Sequence, residues 1–244
     1  MSTPGSGLDA SVAATAARGA LERRVRLAAR ALGRHGLAHA YGHCSVRLDA
    51  ERLLVCAARP MGLIAPGEPG LAVPLAGALP PGVLGEVRIH RQIYVRRPEV
   101  RAVVRVMPPA LMALGTARLV PRPRHGLGAY FGQAAALWDD PQLVRDDARA
   151  AGVADALGAG AAVVMRGNGV VVAADSIERA VVLAWYLEDA ARLELAVRSA
   201  GLDEDSALLS DAERTERATF AGGIVERMWD WMTAGDPEDP AARP

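Results

Sequence analysis

From Ser11 to Arg34 the apolar positions Leu21, Val25, Ala28, Ala29 and Leu32 recur at helical spacing, and Gly36 stands where a helix C-cap is expected. The alternating stretch Cys44 to Leu48 and the apolar run Leu53 to Ala57 read as neighbouring strands joined by a turn at Asp49–Arg52. Residues 59–82 hold six prolines and many glycines, so a long ordered loop is expected there, with one short strand at most, Leu71–Pro74. Glu86 to Arg97 carries an apolar stripe (Val87, Ile89, Ile93, Tyr94) and is stopped by Pro98 as a helix. Val100 to Met107 is β-branched and ends at Pro108, and Ala110 to Thr116 reads as a short helix. Asp146 to Leu157 suits a helix, followed by strands Ala161–Met165 and Val170–Ala173 around the tight turn Arg166-Gly-Asn-Gly169. Asp175-Ser-Ile-Glu178 resembles a capping box opening a helix to Ala200; Ser210-Asp-Ala-Glu213 resembles a second, opening a helix to about Met232. Helices alternate with β segments, no internal repeat is visible and no linker cuts the chain, so a single α/β sandwich-like domain is expected over residues 10–233. Residues 1–9 read as a disordered leader and 234–244 as a mobile tail.

Composition narrows the chemistry. The 244 residues balance 28 basic against 28 acidic side chains, which argues against a nucleic-acid or polybasic membrane surface. Every basic residue is arginine; lysine is absent. That removes Schiff-base aldolases, pyridoxal-phosphate lysines and the phosphate-loop lysine, because arginine stays protonated and is no nucleophile in water. Cys44 and Cys56 make no disulfide framework and fail the usual zinc spacings, in keeping with a reducing cytoplasm. The N-terminus lacks an apolar signal core, and no run of about 18 apolar residues is long enough to span a membrane.

The candidate constellations are few. His35, His39 and His43 fall four apart, but Gly36 and Gly42 interrupt any helix that would make them a ligand stripe, so loop or surface histidines are expected. Gly126-Leu-Gly128 is too short for a dinucleotide fingerprint, and Arg96-Arg97 and Arg122-Pro-Arg124 read as solvated surface. The segment from Gly85 to Met107 is different. Glu86 begins a helix and feels its positive end, with His90 one turn later on the same face. A buried strand then delivers Arg105 and Met107 on one side and Val106 on the other. Four functional side chains can thus meet in one cleft, although a solvated Glu and a packed His are the simpler reading of periodicity alone.

Together with their neighbours these motifs resemble the class II aldolase/adducin family from about Leu21 to Gly201. Tyr41-Gly-His-Cys-Ser-Val-Arg47 looks like the family's Gly-Asn-x-Ser-x-Arg turn with His43 in place of Asn, and Arg59-Pro-Met-Gly62 like its glycine turn after a strand. Glu86-x-x-x-His90-x-x-x-Tyr94-x-x-Arg97-Pro98 resembles its helix motif, and Ala102-Val-Val-Arg105-Val-Met107 the strand that normally ends His-x-His. Arg166-Gly-Asn168-Gly169 stands at the place of the third His, and Asp175-Ser-x-Glu-x-Ala180 and Tyr186-Leu-Glu188 complete the order. His125-Gly-Leu-Gly-Ala-Tyr-Phe-Gly132 through Trp138-Asp-Asp-Pro141 looks most like the branch with hydroxy-aromatic acid decarboxylases. The resemblance implies a single-domain α/β/α sandwich with a central, mainly antiparallel sheet. It also implies a homotetramer with clefts at subunit interfaces; the C-terminal helix near Trp229 or Trp231 is then a candidate to close a neighbour's pocket, and packing of those tryptophans against their own subunit is the alternative.

The departures carry the functional reading. In the family three histidines hold a divalent metal and the helix carboxylate does acid–base work; here those positions are Arg105, Met107 and Asn168. A guanidinium repels a cation, and a thioether with an amide suits neither zinc nor manganese, so no cofactor is expected. Leu84-Gly85 replaces the family's phosphate-binding serines, which disfavours a sugar phosphate, whereas Arg105 suits a carboxylate. The expectation is a metal-independent lyase or isomerase acting next to a carbonyl on a small carboxylate-bearing substrate. Arg105 anchors a carboxylate or an enolate-like oxygen, Glu86 moves the proton and His90 assists. His43, Arg47, Gly62, Met107, His125, Tyr130 and Asn168 are the candidate substrate contacts. Two alternatives stay open: a non-catalytic scaffold, and a metal site relocated to His43, His90 and His125.

Overall fold

The computed structural model describes the backbone of residues 6–202 and 207–239, with side chains from residue 15 onward. In chain order it contains α1 (Ser6–Arg34), β1 (His43–Arg47), β2 (Arg52–Val55), β3 (Leu71–Pro74), α2 (Val87–Arg96) and β4 (Ala102–Val106). These are followed by α3 (Pro109–Thr116), β5 (Ala136–Trp138), α4 (Asp147–Leu157), β6 (Ala162–Met165), β7 (Gly169–Ala174), α5 (Ile177–Ser199), α6 (Asp211–Arg217) and α7 (Ile224–Thr233). The strands form one seven-stranded sheet in the order β3-β2-β1-β4-β7-β6-β5, antiparallel throughout except where β5 meets β6. Helices α1, α3, α5 and α7 cover one face, and α2 and α4 the other, so the domain is the expected single α/β/α sandwich. Among the described residues no helix is long and apolar enough to cross a membrane.

The central strands are valine runs buried on both faces, as a sheet covered by helices on both sides demands: Val103-Val104, Val163-Val164 and Val170-Val171-Val172 are all excluded from solvent. β1 breaks that rule on one face only. Cys44 and Val46 point to α1, where the Cys44 thiol donates to the Val25 carbonyl. His43, Ser45 and Arg47 point to α2 and are buried as well. This face of β1 is thus polar at every second position although it is buried.

Four details depart from the sequence reading. The capping box at Ser210 is present, but the helix it opens stops at Arg217 and α7 starts anew after Gly222 and Gly223, whose φ angles of 75° and 68° no helix accommodates. At α5 the cap is Ser176, which accepts from the Arg179 amide, one residue later than expected. Strand β5 is a three-residue edge piece, too short for an alternation to show. Finally, α1 begins at Ser6, within the stretch read as a leader; residues 1–5 lie outside the described residues.

The tail expected to be mobile from residue 234 is anchored as far as Asp239. Asp236 is fully buried and bridges to Arg30 at 2.6 Å and to Arg34 at 3.2 Å. Glu238 bridges to Arg26 at 2.6 Å and to Arg30 at 2.8 Å. Residues 240–244 lie outside the described residues. Burial pushes the Glu238 carboxyl up, but hydrogen bonds from Arg26 and Arg30 outweigh it and hold the group at about 2. Asp236 is likewise held below the ordinary carboxylate range, burial being overcome by Arg30, the Glu238 amide and Arg34. Carboxylates depressed in the fold contribute stability that is complete above their unfolded values near ~4 and is lost as pH falls through the folded ones. Thermal melting followed from pH 5 to pH 2 should therefore show a steep fall. A D236N/E238Q variant should melt lower at neutral pH and show a shallower slope over the acid range.

Candidate active site

Antiparallel pairing brings the start of β1, the end of β4 and the turn into β7 together at one end of the central strands, and the N-terminus of α2 covers that end. His43 opens β1, Arg105 is its cross-strand partner on β4, and Asn168 sits in the turn before β7. Glu86 is the N-cap residue of α2. The turn is forced by glycine: Gly169 has φ 83°, and a Cβ there would stand 2.1 Å from the Val106 carbonyl oxygen. Only a residue without a side chain lets β7 approach β4 closely enough to present Asn168. The result is a cleft of about 660 Å³ whose wall includes His43, Glu86, Arg105, Met107, Arg145 and Asn168.

Three of these groups close a triangle. Arg105 Nη2 lies 2.9 Å from Glu86 Oε2 and donates to Asn168 Oδ1 at 2.5 Å; Asn168 Nδ2 donates to Glu86 Oε1 at 3.0 Å. The Val144 amide adds a 3.4 Å contact to Glu86 Oε1. The Arg105 side chain is 3% exposed. Burial pulls its guanidinium below the ordinary value and the Glu86 carboxylate opposes that; arginine nonetheless remains a cation at any relevant pH. Both contacts use Nη2, so Nε and Nη1 are left over among the described residues, and of these Nε is the one that is fully buried.

Beside the triangle runs a chain of buried polar groups. His43 Nδ1 meets His90 Nε2 at 2.8 Å, His90 Nδ1 meets Ser45 Oγ at 2.6 Å, and Ser45 Oγ meets the Tyr94 hydroxyl at 3.0 Å. Tyr94 donates to the Ser45 carbonyl oxygen at 3.1 Å. Burial, then each other's proximity and Arg105, keep His43 far below the usual histidine range; burial and Arg105 bring His90 to about 3. Both rings are therefore neutral near pH 7. His43 Nε2, at the end of this row of groups, is buried and has no partner among the described residues.

The structure thus gathers Glu86, Arg105, His43, Met107 and Asn168 in the cleft and places the other candidates elsewhere. His90 is fully buried with both ring nitrogens engaged, so it serves His43 and cannot assist Glu86 directly. Arg47 donates to the carbonyls of Tyr94, Arg97 and Val100, capping the C-terminal end of α2, and stacks over Tyr94. Gly62 lies against Gly33 of α1, where a Cβ on Gly33 would come within 2.5 Å of the Gly62 nitrogen; that residue is a backbone packing point. His125 pairs with Asp189 at 2.9 Å, and Tyr130 packs against Tyr186 and Phe220 while donating to the Thr219 carbonyl at 2.5 Å. Neither His125 nor Tyr130 lines the cleft, so His43, His90 and His125 do not converge on one point. Trp229 packs on its own core, and Trp231 stacks on His35 and Trp185.

Two groups were missed by sequence reading. Ser45 was legible in principle, since it shares the alternate face of β1 with His43. Arg145 was not: it lies at the exposed mouth of the cleft, and no periodicity points to it. Its guanidinium has no hydrogen-bond or ion-pair partner among the described residues.

A divalent metal does not fit this donor set. Where the family resemblance places three histidines stand a buried cation, a thioether and an amide whose oxygen is taken by Arg105 and whose nitrogen is taken by Glu86. Among the described residues no group of three or more His, Cys, Asp or Glu side chains is placed to hold a metal ion.

Comparison with known proteins agrees with the fold. The family model for the Class II Aldolase and Adducin N-terminal domain matches residues 23–195. A 3,4-dihydroxyphthalate decarboxylase from Terrabacter sp. (strain DBF63) is 34% identical over 196 residues, covering 71% of this chain and 80% of that protein. A protein of the same name from Arthrobacter keyseri is 34% identical over 200 residues, covering 72% and 78%. Among solved structures, L-fuculose 1-phosphate aldolase from Glaciozyma antarctica PI12 superposes with a TM-score of 0.75 at 19% identity, covering 90% of each chain.

Proposed function

Because this chain belongs to the class II aldolase and adducin family, we propose that it is a carbon–carbon lyase that decarboxylates a hydroxy-aromatic carboxylic acid without a metal. Its relatives named 3,4-dihydroxyphthalate decarboxylase support the reaction class and supply the first substrate to try. The observation that carries the metal-independent part is the Arg105–Glu86–Asn168 triangle, a fixed positive charge hydrogen-bonded to a carboxylate inside the cleft.

The chemistry follows from what these groups can exchange. Glu86 is the one carboxyl among the lining residues, so it is the proton carrier. It takes the proton of the hydroxyl next to the carboxyl-bearing ring carbon and delivers a proton to that carbon, leaving a ring ketone beta to the carboxylate. The bond to the carboxyl carbon then breaks, CO2 departs, and the electron pair moves through the ring to the ketone oxygen as aromaticity returns. Arg105 receives that oxyanion, which solvent finally protonates. A charged donor held in a dry site contributes on the order of 3–4 kcal/mol to such a step. Arg145 at the mouth is free to take a carboxylate of the incoming substrate. The proposed assembly is a homotetramer, and Trp231, 53% exposed on α7, supports a neighbouring subunit at that helix.

The test is turnover after metal removal. Protein dialysed against a strong chelator and assayed on 3,4-dihydroxyphthalate for CO2 release should keep its full rate with no metal added back. A rate that vanishes on chelation and returns with a stoichiometric first-row metal would overturn the metal-independent reading.

A further inference from the structure

The two buried orphans of the cleft are complementary. His43 Nε2 and Arg105 Nε both lack partners, and their residues face each other as a cross-strand pair with side chains on the same side of the sheet. The arginine nitrogen is a donor. The role of the histidine nitrogen is set by the chain behind it. Tyr94 has one hydroxyl proton, and the Ser45 carbonyl oxygen takes it. The 3.0 Å contact between the two hydroxyls then requires Ser45 to donate to Tyr94. Ser45 Oγ, its proton used, accepts from His90 Nδ1–H. His90 Nε2 is therefore bare and accepts from His43 Nδ1–H, which leaves a lone pair on His43 Nε2. In the reverse arrangement Ser45 donates to His90, and Tyr94 has one proton for two acceptors, so one contact loses its hydrogen. Burial keeps the Tyr94 hydroxyl protonated, consistent with its place as the terminal donor.

A donor and an acceptor on two paired residues of one cleft wall call for a group that both donates and accepts. A carboxylate or ketone satisfies Arg105 Nε alone and an ammonium satisfies His43 alone, whereas a neutral hydroxyl donates to one and accepts from the other. We propose that His43 Nε2 and Arg105 Nε form a subsite for a substrate hydroxyl that keeps its proton, making His43 a specificity-determining residue and His90, Ser45 and Tyr94 the positioning residues that hold its tautomer. This rests on the reading of the cleft as a hydroxy-aromatic acid site. In a substrate with adjacent hydroxyls, one oxygen reacts and the other occupies this subsite. Leaving a buried donor and acceptor unmet by a ligand that lacks the hydroxyl is what makes such a site selective.

The test is binding rather than turnover. Affinities of the unmodified protein for 3,4-dihydroxybenzoate and for its size-matched analogue 3,4-difluorobenzoate are measured by calorimetry. The dihydroxy acid should bind at least tenfold more tightly. In H43L that preference should shrink about tenfold, because the dihydroxy acid loses its acceptor and the difluoro acid no longer leaves one unmet. S45A, which frees the His90 tautomer, should shrink it partly and leave the difluoro acid unaffected. Should H43L fail to fold, nitrogen-15 NMR of the unmodified protein decides. His43 Nε2 should be unprotonated in the free protein and should shift with the dihydroxy but not the difluoro acid. Equal affinity for the two acids, an undiminished preference in H43L, or a protonated Nε2 in the free protein each overturns the subsite. Failure of the decarboxylase reading looks different: the binding preference persists, but no CO2 is released.

Discussion

Replacing Arg105 with methionine should lower kcat/KM for a hydroxy-aromatic acid by about 10³-fold, with the fold intact. The size follows from removing the donor that receives the oxyanion, a loss on the scale of 10²–10³ for one preorganised donor and larger when the donor is charged. Methionine fills much of the arginine stem's volume on β4, where the side chain is 3% exposed, so packing is retained. The variant also strips Glu86 of its ion pair, but that side chain is 14% exposed and keeps its bond from Asn168, so the loss of stability is modest. R105K is the informative companion. It restores the charge without the planar fork that reaches Glu86 and Asn168 from a single nitrogen, and should recover one or two orders of magnitude. Steady-state kinetics and circular dichroism on both variants check this. R105M turning over within fivefold of the parent would remove the guanidinium from the reaction.

How much of this was legible beforehand depends on whether a residue's job is set locally. The Leu71–Pro74 strand, the Ser210 capping box and the Gly36 helix end were read correctly because each depends on its own few residues. The meeting of Glu86 with Arg105 and Asn168 was also foreseeable, since a helix start, a strand end and a hairpin turn arrive at one end of the central strands in this fold. What local reading could not give was the competition for partners. Arg47 carries the same charge as Arg105, yet the carbonyls ending α2 consume all its reach. His90 shares a helix face with Glu86, but the alternate-face groups of β1 claim both its nitrogens. The tail reads as mobile because it is a chain end. Its anchor is three arginines some two hundred residues earlier in the chain, invisible to any window.

The second large effect belongs to Glu86→Gln, and its kinetic signature separates catalysis from damage. Glutamine keeps the shape and can still accept from Asn168, but it can no longer take the hydroxyl proton. General acid–base groups contribute on the order of 10²–10⁴-fold, so kcat should fall by about 10³-fold. Binding should move in the opposite direction. In the parent, Glu86 occupies Arg105 Nη2 and competes with any anionic ligand for it. Glutamine presents a neutral oxygen that a carboxylate or phenolate displaces more easily, so Kd for 3,4-dihydroxybenzoate should hold or tighten. A variant that merely distorted the cleft would lose affinity along with rate. Loss of kcat with unchanged or tighter binding therefore identifies a group that acts on the proton. E86Q retaining parental kcat would leave the cleft without a proton carrier, since it offers no other carboxyl among its lining residues.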